Sequence, residues 1–124
     1  EKTGNPIQHL QMGPYAKKVS DALKNIVISM LQSGLNVIID EVCIGDKSFE
    51  IWQKKLSGYK VLYVGVNAPI EILEMRENER KDRIIGSARG QFISAHKNNQ
   101  YDLEIDTSRI SIENCVSTIM KKIG

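Results

Sequence analysis

One stretch limits the folds open to this chain more than any other: Leu35 to Val42, reading Leu-Asn-Val-Ile-Ile-Asp-Glu-Val. Gly34 precedes it, Val37, Ile38 and Ile39 are apolar and β-branched, and Asp40 and Glu41 follow at once. A continuous apolar run of this length reads as a strand buried on both faces of a parallel sheet. Its acids then emerge at the strand's carboxyl end, where open α/β sheets place their ligands.

An apolar strand that delivers an acid into such a crevice has the pattern of a Walker B strand, whose carboxylate holds Mg²⁺ or its water. An ordinary strand ending in solvated acids is the other reading. The rest of the chain has to decide between them.

Gly13-Pro14 starts a helix, since proline is tolerated where no amide donor is needed. Ala16, Val19, Leu23, Ile26, Val27, Met30 and Leu31 recur at helical spacing as one apolar stripe, with Lys17, Lys18, Asp21 and Lys24 opposite. Gly34 ends that helix. Asp46 or Ser48 caps a short helix carrying Phe49, Ile51, Trp52 and Leu56, with Trp52 as core. Lys60 to Val66 is a second, nearly all-apolar strand. Pro69 opens a third helix, rich in charge from Glu71 to Arg83, and a break near Gly86 leads into another helical segment. Tyr101 to Asp106 alternates polar and apolar, as an edge strand does, and Ser111 caps a last helix with the stripe Ile112, Cys115, Val116, Ile119, Met120 and Ile123. The order is that of an α/β layer with a parallel sheet and helices on its faces.

At 124 residues the chain makes one domain with a core of its own. A net charge of +2 is too small to imply nucleic acid or an anionic membrane as partner. Cys43 and Cys115 lie far apart with no metal-site spacing, so reduced thiols are expected. No apolar run reaches membrane-spanning length, and the cytoplasm is the expected compartment. The chain begins at Glu1 without an initiator methionine, which suggests part of a longer gene product.

Three features point to the carboxyl ends of the strands. The first is the acid pair Asp40 and Glu41. The second is the row Arg76, Arg80 and Arg83, which as a helix would share one face at i, i+4 and i+7. Guanidinium forks fit phosphate oxygens, so such a row on a flap could close over a nucleotide. A solvated helix laced by Glu–Arg pairs is the plainer alternative. The third is Asp106-Thr107-Ser108, whose hydroxyls line a base or, preferably, cap the next helix. His96 reads as a surface or capping residue. Neither G-x-x-x-x-G-K-[ST] nor G-x-G-x-x-G occurs, so these residues include no glycine-rich phosphate cradle.

Together these residues resemble the C-terminal two-thirds of the chloramphenicol phosphotransferase family, P-loop kinases that phosphorylate a hydroxyl of the antibiotic. The similarity runs from Met12-Gly13-Pro14 to the end of the chain. It includes Val37–Val42, Val61–Val66, Arg76-Glu77, Arg80, Asp82-Arg83, Gly86, Gln91, His96 and Tyr101 through Thr107. It implies ATP and Mg²⁺ as cofactors, a small-molecule hydroxyl as acceptor, and a place in antibiotic resistance. Asp40, with Glu41 beside it, would lie near the Mg²⁺. Arg76, Arg80 and Arg83 would belong to a lid spanning residues 76–96, and Asp106, Thr107 and Gln91 would lie on the nucleotide side.

The resemblance also implies a three-layer fold, P-loop kinase-like, in which a first strand and its P-loop precede what is printed here. That strand would sit between the two apolar strands. With strands ~4.8 Å apart, its absence leaves a slot about 10 Å wide, lined by unpaired amides and carbonyls. Three resolutions follow: a longer kinase of which this is a portion, a second copy filling the slot in a homodimer or strand-swapped dimer, or direct pairing of the two strands. As printed, the chain is expected not to turn over ATP. A non-catalytic module that dimerises through open sheet edges is the alternative function.

Overall fold

The chain is described from a computed structural model, over residues 7–8, 11–44 and 47–124. Most of the expected irregular arm, and the Asp46 cap, lie outside those residues. In order, α1 spans Pro14–Gln32, α2 Ser48–Lys55, β1 Val64–Asn67, α3 Ile70–Glu79, α4 Ser87–Phe92, β2 Leu103–Asp106 and α5 Ile112–Ile123. The fold is mixed α/β with a small parallel sheet, β1 beside β2, in the register Val64↔Leu103 to Asn67↔Asp106.

The helix boundaries follow local chemistry. Pro14 stands at the first turn of α1, and Gly34 turns left-handed just past its end. Ser111 caps α5 by accepting from the Asn114 amide at 3.3 Å. Gly86, at φ 94°, makes the left-handed entry to α4 that a side chain would resist.

The core sits between α1 and α2. Val27, Trp52 and Leu56 are buried together, and Ile28, Leu31, Val37, Cys43, Tyr59 and Val61 pack around them. Lys24, expected on the solvated side of α1, is instead only 4% exposed. Its ammonium donates to the Ser20 hydroxyl at 2.7 Å and lies 5.4 Å from the Trp52 ring centre, which replaces the water it gives up. Most of the expected stripe, Val19, Leu23, Ile26 and Met30, faces outward.

Leu35–Val42 is not a strand. It carries no ladder hydrogen bonds among the described residues, because neither flank has a neighbouring strand to supply them. Nor is it buried on both faces: Val37 packs on the α1–α2 core, while Ile38 is 97% exposed. The two runs expected to flank an absent strand are not bonded to each other, and the sheet is β1 and β2 alone among the described residues. The ladder of β1 begins at Val64 rather than Lys60, and that of β2 at Leu103 rather than Tyr101. The alternation in β2 holds, with Ile105 buried and Glu104 exposed.

The last helix keeps its sequence period but not its burial. None of α5 is buried, and Ile112, Val116, Met120 and Ile123 form an exposed apolar row. Both cysteines are free. No helix among the described residues is long and apolar enough to cross a membrane.

Candidate active site

The carboxyl ends of β1 and β2 carry Asn67 and Asp106 side by side. Thr107, just beyond, donates its amide to the Asn67 carbonyl at 2.9 Å and its hydroxyl to the same oxygen at 3.2 Å. Asp106 closes a tight turn, accepting from the Ser108 amide at 2.9 Å and the Ser108 hydroxyl at 2.6 Å. Those bonds, with Arg109 at 3.2 Å and Arg76 nearby, hold its carboxyl below the ordinary aspartate range. The hydroxyl of Ser108 therefore serves a turn, and Ser111 is the residue that caps α5.

Pro69 turns the chain out of β1 and into α3. Arg76, in the last part of that helix, reaches back to the strand ends: Nη1 donates to the Thr107 hydroxyl at 2.8 Å and Nη2 to the Thr107 carbonyl at 3.0 Å. The guanidinium fork is thereby engaged by protein. Its geometry ties α3 to the sheet terminus, beside the turn of Asp106.

The shared helical face of Arg76, Arg80 and Arg83 does not exist. α3 stops at Glu79, and Arg80 is already extended at φ −93° and ψ 120°. Arg80 and Arg83 stand instead on an exposed loop between α3 and α4. Arg80 pairs with Asp82 at 3.3 Å, which draws the Asp82 carboxyl down. Arg83 makes no hydrogen bond or ion pair among the described residues.

Beneath that loop sits Glu77, 5% exposed, a residue that the resemblance included but to which the sequence assigned no role. Oε2 accepts from the Gly86 amide at 2.7 Å, and Oε1 from the Ser87 hydroxyl at 2.8 Å and the Ala88 amide at 2.7 Å. One signal was available. A helix entered through a glycine has no side-chain cap, so its first amides need an acceptor from elsewhere. Glu74 and Arg89 add a bidentate pair at 2.7 and 3.1 Å between α3 and α4, and the carboxylate raises the Arg89 pKa. Gln91 lies half-buried in α4.

The acids after Ile39 diverge in their surroundings. Glu41 accepts from the Trp52 indole, whereas Asp40 is exposed with no hydrogen bond or ion pair among the described residues. No group of three or more His, Cys, Asp or Glu gathers as a metal cage among the described residues. A single free carboxylate does suit Mg²⁺, which keeps most of its waters and takes one or two acids plus phosphates. Asp40 has both oxygens open for that role, while Glu41 has one oxygen engaged by the Trp52 indole. Beside them, burial pushes the Cys43 thiol pKa up, against the hydrogen bond from Ser48.

His96 is placed elsewhere. Its Nδ1 meets the Tyr101 hydroxyl at 2.7 Å, and Tyr101 precedes β2, at the opposite end of the sheet from Asp106. Tyr101, Phe49 and Tyr63 form an edge-to-face cluster there.

Comparison with known proteins supplies the lineage. The family model described as "Chloramphenicol phosphotransferase-like protein" matches residues 3–124. The chain belongs to the chloramphenicol phosphotransferase-like family. Two curated relatives are from Mycobacterium tuberculosis: "Putative O-phosphotransferase MT2714" of strain CDC 1551 / Oshkosh and "Putative O-phosphotransferase Rv2636" of strain ATCC 25618 / H37Rv. Each is 32% identical over 96 residues, which is 77% of this chain and 43% of the relative. The matched region thus spans less than half the length of those relatives.

Proposed function

We propose that this chain is part of an ATP- and Mg²⁺-dependent phosphotransferase that acts on a small-molecule hydroxyl, in the manner of a chloramphenicol phosphotransferase. The observation that carries the reading is the exposed loop of Arg80 and Arg83, which follows the helix that the Arg76–Thr107 contact ties to the carboxyl end of a parallel sheet.

In this reading residues 1–124 are one partial P-loop kinase-like domain of three layers, with 76–96 as its lid. A first strand and P-loop, supplied from outside these residues, take the place between Val37–Val42 and β1. The exposure of Ile38 and its missing ladder bonds support that placement, since unpaired backbone and bare apolar side chains are costly unless covered. The cytoplasm is the compartment of the same reading.

Phosphoryl transfer asks mainly for positioning and charge neutralisation. Arg83 presents an unoccupied fork to phosphate oxygens. Among the described residues the Arg80 side chain is held by an exposed, solvent-screened pair with Asp82, so a phosphate can displace it. Asp106, Thr107 and Gln91 are the nucleotide-side residues. Asp40 holds the metal, and Mg²⁺ when bound there offsets charge on the phosphates.

The test is transfer of label from γ-phosphate-labelled ATP to chloramphenicol and a panel of other alcohols. The protein used is expressed from the natural gene with all that its reading frame encodes before Glu1. Labelled product that requires Mg²⁺ is expected, and none from residues 1–124 alone. Absence of transfer to every acceptor by the longer protein contradicts the proposal.

The bare run around Ile38 and the exposed row on α5 also favour a second reading, a non-catalytic module that pairs with another copy through open sheet edges. Gel filtration with light scattering separates the two. A dimer that never binds nucleotide supports the second, and a monomer excludes it.

A further inference from the structure

The buried carboxylate of Glu77 lies where α3 ends, yet it accepts from Gly86, Ser87 and Ala88, across the arginine loop at the start of α4. Eight residues, 78–85, leave from one side of this junction and return to the other. They carry Arg80 and Arg83, and every one of them is exposed. Two amides and one hydroxyl converge on a single carboxylate, at 2.7 to 2.8 Å. Charge-assisted bonds of that length are the strong ones, and at a helix start they also meet the favourable end of the helix dipole. The Glu74–Arg89 pair fastens the same two helices one turn further back. An excursion with both ends fixed has fewer conformations to lose when its tip takes hold of a ligand.

We propose that Glu77 is a positioning residue for phosphoryl transfer, a buried clamp that sets where Arg80 and Arg83 stand before phosphate arrives. It touches neither substrate nor metal; it acts through the loop. The inference rests on the reading of that loop as the phosphate-contacting flap, and the two arms of its test fail separately.

The first arm is limited trypsin cleavage of the protein expressed from the natural gene. Glu77→Gln keeps the side chain's size but sets an amide N–H₂ against a backbone N–H. Cleavage after Arg80, Lys81 and Arg83 should accelerate by ~10-fold relative to cleavage after Lys54, because local opening governs access. Ser87→Ala removes one bond from the same carboxylate and should give a smaller rise; it carries the test should Glu77→Gln not fold. Equal rates in both variants and the parent overturn the clamp.

The second arm is calorimetric titration with tripolyphosphate. The parent protein binds it, and the Arg80→Ala/Arg83→Ala double variant and Glu77→Gln each bind ~10-fold more weakly, the latter for want of a fixed loop. A loosened loop with unchanged tripolyphosphate affinity overturns the positioning role. No binding by the parent protein overturns the phosphate reading of the loop; with faster cleavage it leaves Glu77 a structural tie only.

Discussion

Arg76 and Thr107 are joined twice, through the hydroxyl at 2.8 Å and through the carbonyl at 3.0 Å, across 31 residues of sequence. The contact fastens the helix after β1 to the turn after β2, so it fixes the end of the sheet rather than reaching for a ligand. Arg76→Ala should cost about 1–3 kcal/mol, the worth of hydrogen bonds to a charged donor. Arg76→Lys should recover only part of that, since an ammonium cannot span both acceptors. Urea denaturation of the three proteins measures it.

Gly65 is needed for a different reason. A Cβ built there stands 2.5 Å from Tyr101 Cδ2 and 2.7 Å from Cε2, inside the ring's van der Waals surface. Gly65→Ala should therefore push Tyr101 from its edge contact with Phe49 and its bond to His96, at a cost of about 1–3 kcal/mol. Combined with Tyr101→Ala the cost should be clearly less than additive, which a double-mutant cycle reads directly.

The turn at Asp106 should be sensitive to acid. Its carboxyl is held below its unfolded value, first by the Ser108 hydroxyl and amide, so the folded turn binds the proton less readily than the unfolded chain. The stabilisation is present above the unfolded aspartate value, near pH 4, and is lost as pH falls through the lower folded value. Amide chemical shifts of Ser108 should be flat from pH 7 to about pH 4.5 and move only below it. Asp106→Asn should remove that movement.

Trp52 is the chain's one tryptophan and is 4% exposed, between Lys24 and Glu41. Its emission should be blue-shifted and poorly quenched by acrylamide. Cys43, whose thiol pKa is raised by burial, should alkylate slowly at pH 7.5 for the same reason. Trp52→Phe, which takes the indole donor from Glu41 and loosens the packing over the thiol, should speed that alkylation.

Several elements were legible in the sequence because local chemistry decides them. Pro14, Gly34, Gly86 and Ser111 mark helix ends wherever the helices pack. The short strand Leu103–Asp106 announced itself by alternation. Leu35–Val42 did not become a strand, because a ladder is a property of two segments and no second segment pairs with it among the described residues. Lys24 looked solvated from its period alone, and the Trp52 ring that buries it comes from 28 positions away. The arginine face failed because α3 ends at Glu79, short of Arg80, and the chain then returns so that Gly86 bonds Glu77, a contact nine residues apart that no periodicity reports. What sequence did place was the end of the second strand at Asp106 and the charged stretch that follows Pro69.

Arg83 offers the most direct measurement. With the protein expressed from the natural gene, single-turnover transfer of the γ-phosphate of ATP should fall by roughly 100-fold or more in Arg83→Ala, the scale expected for one charge contact made to the transferring group. Thermal stability should be unchanged, since Arg83 bonds to nothing among the described residues, whereas Arg76→Ala should lower it. An Arg83→Ala protein that transfers phosphate at the parent rate would contradict the account.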